Sequence, residues 1–367
     1  SHISRQQIEV LRLTEQYELW HFNHGSLISR GCLERCCWTT SNLTWFTPDK
    51  HRILRRLSPI DVKLIADLHY GTLQVPDGFK LPKLTKELIP CIQPGTVFFV
   101  DSPDIEVFLK DYHQNIKVDY ILITGDSDIS VPTNLESKTG ITTSLIENIL
   151  DGKTHILHWF AMNCDLGSKR HKKTQHFTCI PNGISQWENQ RYNMEIAATL
   201  KYSKSNDYLL LASFSPASNE KIRKPLWDLA CNQDALKNIT KCFYERNKSL
   251  LNFYQDIAQS LDCYRTWESL YLNSIPIVQS SSLDSIYDQL PVLIVKNYSS
   301  THLNREYLNQ IYNQMTTQTY DLSRLYKDYW QQKIQSYKPT SNISMNSLLH
   351  EYDHCLAPAE DYALLEM

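Results

Sequence analysis

The chain has 367 residues, with 42% hydrophobic and 21% charged side chains and a formal net charge of −3. That balance excludes a disordered tail, a collagen-like rod and a coiled coil. It offers no basic field for nucleic acid or anionic lipid, and no apolar run reaches the ~18 residues of a membrane span. The length predicts two or three domains.

In chain order, residues 1–90 read as an irregular start, with a short amphipathic helix over Leu54–Leu68 interrupted at Pro59. Cys32, Cys36 and Cys37 cluster near His24, but paired C-x2-C spacing and a second ligand pair are missing, so packed or free thiols are expected rather than zinc. Pro76, Pro82, Pro90 and Pro94 mark 71–94 as a surface wrap. An α/β rhythm then begins. Strands are expected at Thr96–Val100, Asp119–Thr124, His155–Phe160 and Thr178–Ile180, with helices at about 103–113 and Ser144–Leu150 between them. Asp101 and Ser102 are expected to cap the first of these helices. Strands alternating with helices predict parallel βαβ units. Residues 184–206 read as a helix that turns polar, and the domain boundary falls there.

A second series follows, with strands at Tyr208–Phe214, Ile275–Val278 and Leu290–Val295. Its helices are expected at Ser218–Cys231, Asn252–Ser260, Asp262–Asn273 and Tyr298–Gln314, before a helical, aromatic tail. The expected architecture is therefore α/β, with two Rossmann-like domains facing a cleft. Residues 1–205 form the first and 206–367 the second. In open α/β sheets ligands bind beyond the carboxyl ends of strands, so the loops after these strands are the candidate sites. All 10 glycines lie at or before Gly183, and no Gly-rich phosphate loop occurs. The ten cysteines are spread over a large chain, so a disulfide framework is not expected.

Four groups of residues have chemical potential. In the helix beginning near Leu261, Arg265 and Glu268 lie three residues apart and share a face. They are either an intrahelical ion pair or contacts for a diphosphate and a ribose. Gly125-Asp126-Ser127-Asp128 follows a strand. Its carboxylates serve a turn, act as a general base, or bind a divalent cation. His158 is a base or a satisfied strand-end histidine, Trp159 a sugar platform or a core residue, and Asn163 a neighbouring polar candidate. The run Lys169-Arg170-His171-Lys172-Lys173 is a solvated loop or a contact for an anionic acceptor.

The stretch CYRTWESLYLNSIPIV, followed by SSLDSIYDQLPVLIV, resembles the donor-side signature of exostosin-like glycosyltransferases of GT-B architecture. ILITGDSDISVP, HWFAMNCD, FTCIPNGI and LLASFSPASNEKIRKPLW resemble further segments in the same order, and the similarity spans about residues 90–300. The resemblance implies transfer of a hexose-type sugar from a nucleoside diphosphate donor, such as a UDP- or GDP-sugar, to a glycan or glycoprotein acceptor. It implies no metal and no other cofactor. Glu268 would bind the ribose, and Arg223 and Arg265 would neutralise the leaving diphosphate. Asp126 or Asp128 would take the acceptor proton in an inverting reaction, with His158, Trp159 and Asn163 on the acceptor side. The protein would be soluble, in the Golgi or another secretory lumen if an upstream anchor has been removed, and otherwise in the cytoplasm. One departure is a shortened segment before Leu261, where the family pattern has a strand and a Pro/Gly-rich loop. It raises the alternative of a non-catalytic sugar-binding or scaffold protein with a degenerate donor site.

Overall fold

The computed structural model describes residues 56–71, 82–138, 141–166, 175–184, 210–213, 220–243, 264–271, 274–298 and 303–339. The cysteine cluster at 32–37, the basic run at 169–173, most of the expected helix over 184–206 with the domain boundary, and the expected helix over 252–260 lie outside them.

The centre is a five-stranded parallel sheet in the order β1-β2-β3-β5-β7: β1 (Leu68–Tyr70), β2 (Val97–Asp101), β3 (Tyr120–Gly125), β5 (Ile156–Ala161) and β7 (Phe177–Cys179). A two-stranded parallel pair, β4 (Val131–Pro132) with β6 (Cys164–Asp165), stands beyond its carboxyl edge. Four of the five central strands match the expected ones. β1 was not anticipated: its three residues fall where the expected helix ends, and only Leu68 lies inside that helix.

β2 and β3 are buried along their whole length, so their sequences are continuous apolar runs rather than alternating ones. Strand parity divides them between two cores. Phe98, Val100, Tyr120, Leu122, Trp159 and Ala161 point into one core, with Phe108, Leu109, Ile146 and Ile149 from the crossover helices. Val97, Phe99, Ile121, Ile123, Phe160 and Met162 point into the other. The strand order advances in one direction, so crossovers of a single hand place their helices on one face. The opposite face is covered by chain from outside the crossovers. Leu57 and Val62, in and before helix α1 (Pro59–Lys63), join Trp330 and Ile334 of a C-terminal helix, Lys327–Gln335.

Pro59 does not interrupt a helix; it begins one. Ser58 is the N-cap, accepting a hydrogen bond from Asp61 N at 3.4 Å, and Pro59 occupies the first turn, where its missing N–H costs nothing. The helix Thr143–Leu150 starts as expected, with Thr142 Oγ1 accepting from Leu145 N at 3.3 Å. The capping expectation for Asp101 and Ser102 fails. The chain leaves β2 through a 3-10 turn, Ser102–Asp104, whose N-cap Asp101 makes no side-chain cap bond.

The second series is α/β and parallel in each described pair, but the described residues show two separate pairs rather than one sheet. β8 (Leu210–Ser213) lies beside β9 (Thr240–Phe243), and β10 (Ile277–Gln279) beside β11 (Leu293–Val295). A smaller core of Leu229, Leu236, Ile239, Val295, Leu303 and Leu308 unites them. The helix α2 (Tyr264–Tyr271) instead sends Trp267 and Leu270 into the core of the first sheet. No described helix is long and apolar enough to cross a membrane.

The expectation of no disulfides is overturned. Cys164 is bonded to Cys179 and Cys231 to Cys242, and Cys91 is also disulfide-bonded. Sequence spacing gives no warning of these bonds. β6 and β7 are 15 residues apart at the two cysteines, yet topology brings their Cα atoms to 5.5 Å.

Candidate functional site

The loops after β2, β3 and β5 and the end of helix α1 meet at the carboxyl edge of the five-stranded sheet. β2 ends in Asp101, which pairs in register with Gly125 of β3. Asp126 follows, in the left-handed region at φ 58°. Asn163 follows β5 at φ 49° and is buried. From the other side, α1 brings its last residue, Lys63, onto this edge.

Lys63 is fully buried, and its ammonium forms an ion pair with the Asp126 carboxylate, whose side chain is 14% exposed. The same ammonium lies 5.8 Å from the centroid of the Phe99 ring, a cation–π arrangement on the face that carries Asp101. A buried lysine needs such partners, since an isolated ammonium is costly to desolvate.

Asp101 is 7% exposed, and its Oδ1 has no hydrogen-bond partner among the described residues. Burial pushes its carboxyl up to about 7, the Asp126 and Asp104 charges push the same way, and Lys63 opposes them. Asp101 thus changes charge near neutrality at the edge where open α/β sheets bind ligands. Sequence reading assigned Asp101 to capping and overlooked Lys63. Only the register Asp101–Gly125 brings the two carboxylates together, and no linear spacing encodes it. Asp128 is exposed on the rim of the same loop.

Two acceptor-side candidates are elsewhere. His158 is fully buried inside β5, within hydrogen-bond distance of Thr178 Oγ1 at 2.8 Å and packed on Phe160 and Tyr337. Burial pulls its pKa down to about 3, which keeps the ring neutral. Trp159 is a core residue on the crossover face, donating through Nε1 to Thr124 Oγ1 at 2.9 Å. Neither is presented to a ligand; the strand that carries them is covered on both faces. Asn163 does belong to the carboxyl edge.

The donor-side candidates lie on the second series. Arg223 is half-buried on the helix Glu220–Trp227. On α2, Glu268 is 2% exposed and Arg265 half-buried, with Trp267 between them in sequence and its ring tilted against that of Tyr287, centroids 5.6 Å apart. The C-terminal end of α2 reaches the sheet. Leu57 N donates to Tyr271 Oη at 3.2 Å, and Leu57 O accepts from Ile184 N, just beyond β7, at 2.9 Å. Ser282 Oγ donates to Cys164 O at 3.2 Å from the segment after β10. Among the described residues, no group of three or more His, Cys, Asp or Glu side chains is placed to hold a metal ion. No family model matches the chain, and no curated protein matches it either.

Proposed function

We propose that this chain is a glycosyltransferase, moving a sugar from a nucleoside diphosphate donor to a glycan or glycoprotein acceptor. The observation that carries the proposal is the docking of the helix bearing Arg265 and Glu268 against the carboxyl end of the parallel sheet, through Tyr271 and Leu57. In the GT-B arrangement that the sequence resemblance implies, residues 206–367 hold the donor and residues 1–205 face the acceptor. Negative charge grows on the diphosphate as the glycosidic bond breaks, and the guanidinium groups of Arg223 and Arg265 stabilise it there. The Glu268 carboxylate accepts the ribose hydroxyls. In an inverting transfer a carboxylate of the loop after β3, Asp126 or Asp128, takes the acceptor proton.

The burial of Glu268 favours a second reading, a protein that kept the fold and lost the donor site. Thermal melts with UDP and GDP separate the two. A ligand that binds only the folded chain at 100 times its Kd stabilises it by about 2.7 kcal/mol, so the transferase melts higher with one of the nucleotides. No shift with either supports the non-catalytic protein and refutes the transferase.

We also propose that the protein resides in an oxidising compartment of the secretory pathway. The bonds Cys164–Cys179 and Cys231–Cys242 support this, since reducing compartments keep such thiols free.

A further inference from the structure

We propose that the carboxyl edge between β2 and β3 is a binding site for a hydroxyl group of a neutral saccharide, with Asp101 Oδ1 as the atom that accepts the hydroxyl proton. This rests on the transferase reading only in naming a saccharide as the bearer of the hydroxyl.

The ligand class follows from what the edge offers. Asp101 is more than nine-tenths buried, and one of its carboxylate oxygens has no partner among the described residues. A buried acceptor left unsatisfied is costly, so the site is complete only with a donor group in it. The carboxylates of Asp104 and Asp126 act on that of Asp101, against the ammonium of Lys63. That charge balance repels phosphate, sulfate and carboxylate ligands. A neutral hydroxyl supplies one donor proton to one acceptor oxygen and brings no charge into a buried position.

The surroundings prepare the site. The ion pair to Lys63 fixes Asp126 beside Asp101. Gly125, the register partner of Asp101, adds no side chain of its own, and a Cβ there would overlap the Met162 side chain. Ser127 is half-buried and Asp128 exposed, so the loop forms a rim between the buried carboxyl and solvent. Lys63 from α1, Asp104 from the turn after β2 and Asp126 from the loop after β3 are the charged groups that act on Asp101.

The test is a glycan array of neutral and anionic oligosaccharides, probed with the full chain without nucleotide. The tightest neutral binder is then titrated against wild type and Asp101→Asn. Wild type binds a neutral oligosaccharide, and Asp101→Asn weakens it at least about tenfold, the loss of a charge-assisted hydrogen bond. A titration of wild type alone from pH 5 to 9 keeps the proposal testable if the variant does not fold. Affinity rises about fivefold as the Asp101 carboxyl ionises around pH 7. Binding confined to anionic glycans, no binding at all, or an Asp101→Asn affinity within twofold of wild type overturns the proposal, as does a flat pH profile. A chain that binds neutral saccharides but gives no melting shift with UDP or GDP retains this site and loses the transferase reading.

Discussion

Asp101→Asn should stabilise the fold above neutral pH, because the native structure holds this carboxyl where its charge is unwelcome. The rise from the ordinary 3.8 to about 7 comes first from burial and then from Asp126. At about 1.36 kcal/mol per pH unit it corresponds to about 4 kcal/mol. Partial water access at the sheet edge screens this to about half, about 2 kcal/mol. The sign follows from proton linkage. The folded state holds the proton more tightly than the unfolded chain, so stability is unaffected below about pH 4 and falls as pH rises from there to about 7. Above that the loss is complete. Asparagine removes the charge and keeps the shape. Urea unfolding of both proteins at pH 4.5, 6, 7 and 8.5 reads the difference directly. The curves should converge at the acid end, and the variant should be about 2 kcal/mol more stable at pH 8.5. Parallel curves, or a variant less stable at pH 8.5, would refute the argument that Asp101 is held against its preferred charge state.

Lys63→Met should cost about 3 kcal/mol in the same assay, since it leaves the Asp126 carboxylate unpaired against a buried edge. It should also move the Asp101 titration upward, because the opposing positive charge is gone. Gly183→Ala should destabilise by about 2 kcal/mol or more. Gly183 has φ +69°, and an added Cβ would overlap the Leu57 carbonyl, so the melting temperature should fall; an unchanged one would refute this. Cys231→Ser with Cys242→Ser should lose about 2–3 kcal/mol for opening a closure of 11 residues, and dithiothreitol should reproduce that part of the loss in wild type. Arg265→Ala should lower sugar-transfer turnover more than it lowers the melting temperature; an unchanged rate removes Arg265 from the chemistry.

The parts of the fold that could be read from the sequence are those fixed by local pattern. TVFFV and DYILIT are apolar on both parities, and such strands occur only in sheets covered on both faces, which is where β2 and β3 lie. The helix expected at Ser144–Leu150 is found at Thr143–Leu150. β1 and β9 were missed because three or four residues carry too little periodicity to overrule their neighbours. Pro59 was misjudged because a proline that ends one helix and a proline that begins another look alike until the preceding Ser58 is seen capping. The disulfides were missed for a deeper reason. Cys164 lies just past the carboxyl end of β5 and Cys179 ends β7, the neighbour of β5 in the sheet, so their adjacency is a property of topology.

The carboxyl edge obeys the same rule. Asp126 was legible because it sits in a short acidic loop after a strand, whereas Asp101 looked like an ordinary helix cap. What changes its role is the strand register, which sets it opposite Gly125, and α1, which covers it with Lys63. Each residue has a routine explanation when read alone; an Asp after a strand caps, and a Lys in a last helical turn offsets the helix dipole. Read together, they are charges removed from water on one edge, and charges are rarely buried there without a task. His158 and Trp159 make the converse point. They look like chemistry in the sequence, but they sit mid-strand, where both faces of the sheet are covered, and His158 Nε2 and Trp159 Nε1 find Thr178 and Thr124. On a parallel sheet, then, distance from the carboxyl end of a strand discriminates function from packing better than residue type does. Asp101, Asp126 and Asn163 satisfy that criterion, and the two aromatic candidates of β5 fail it.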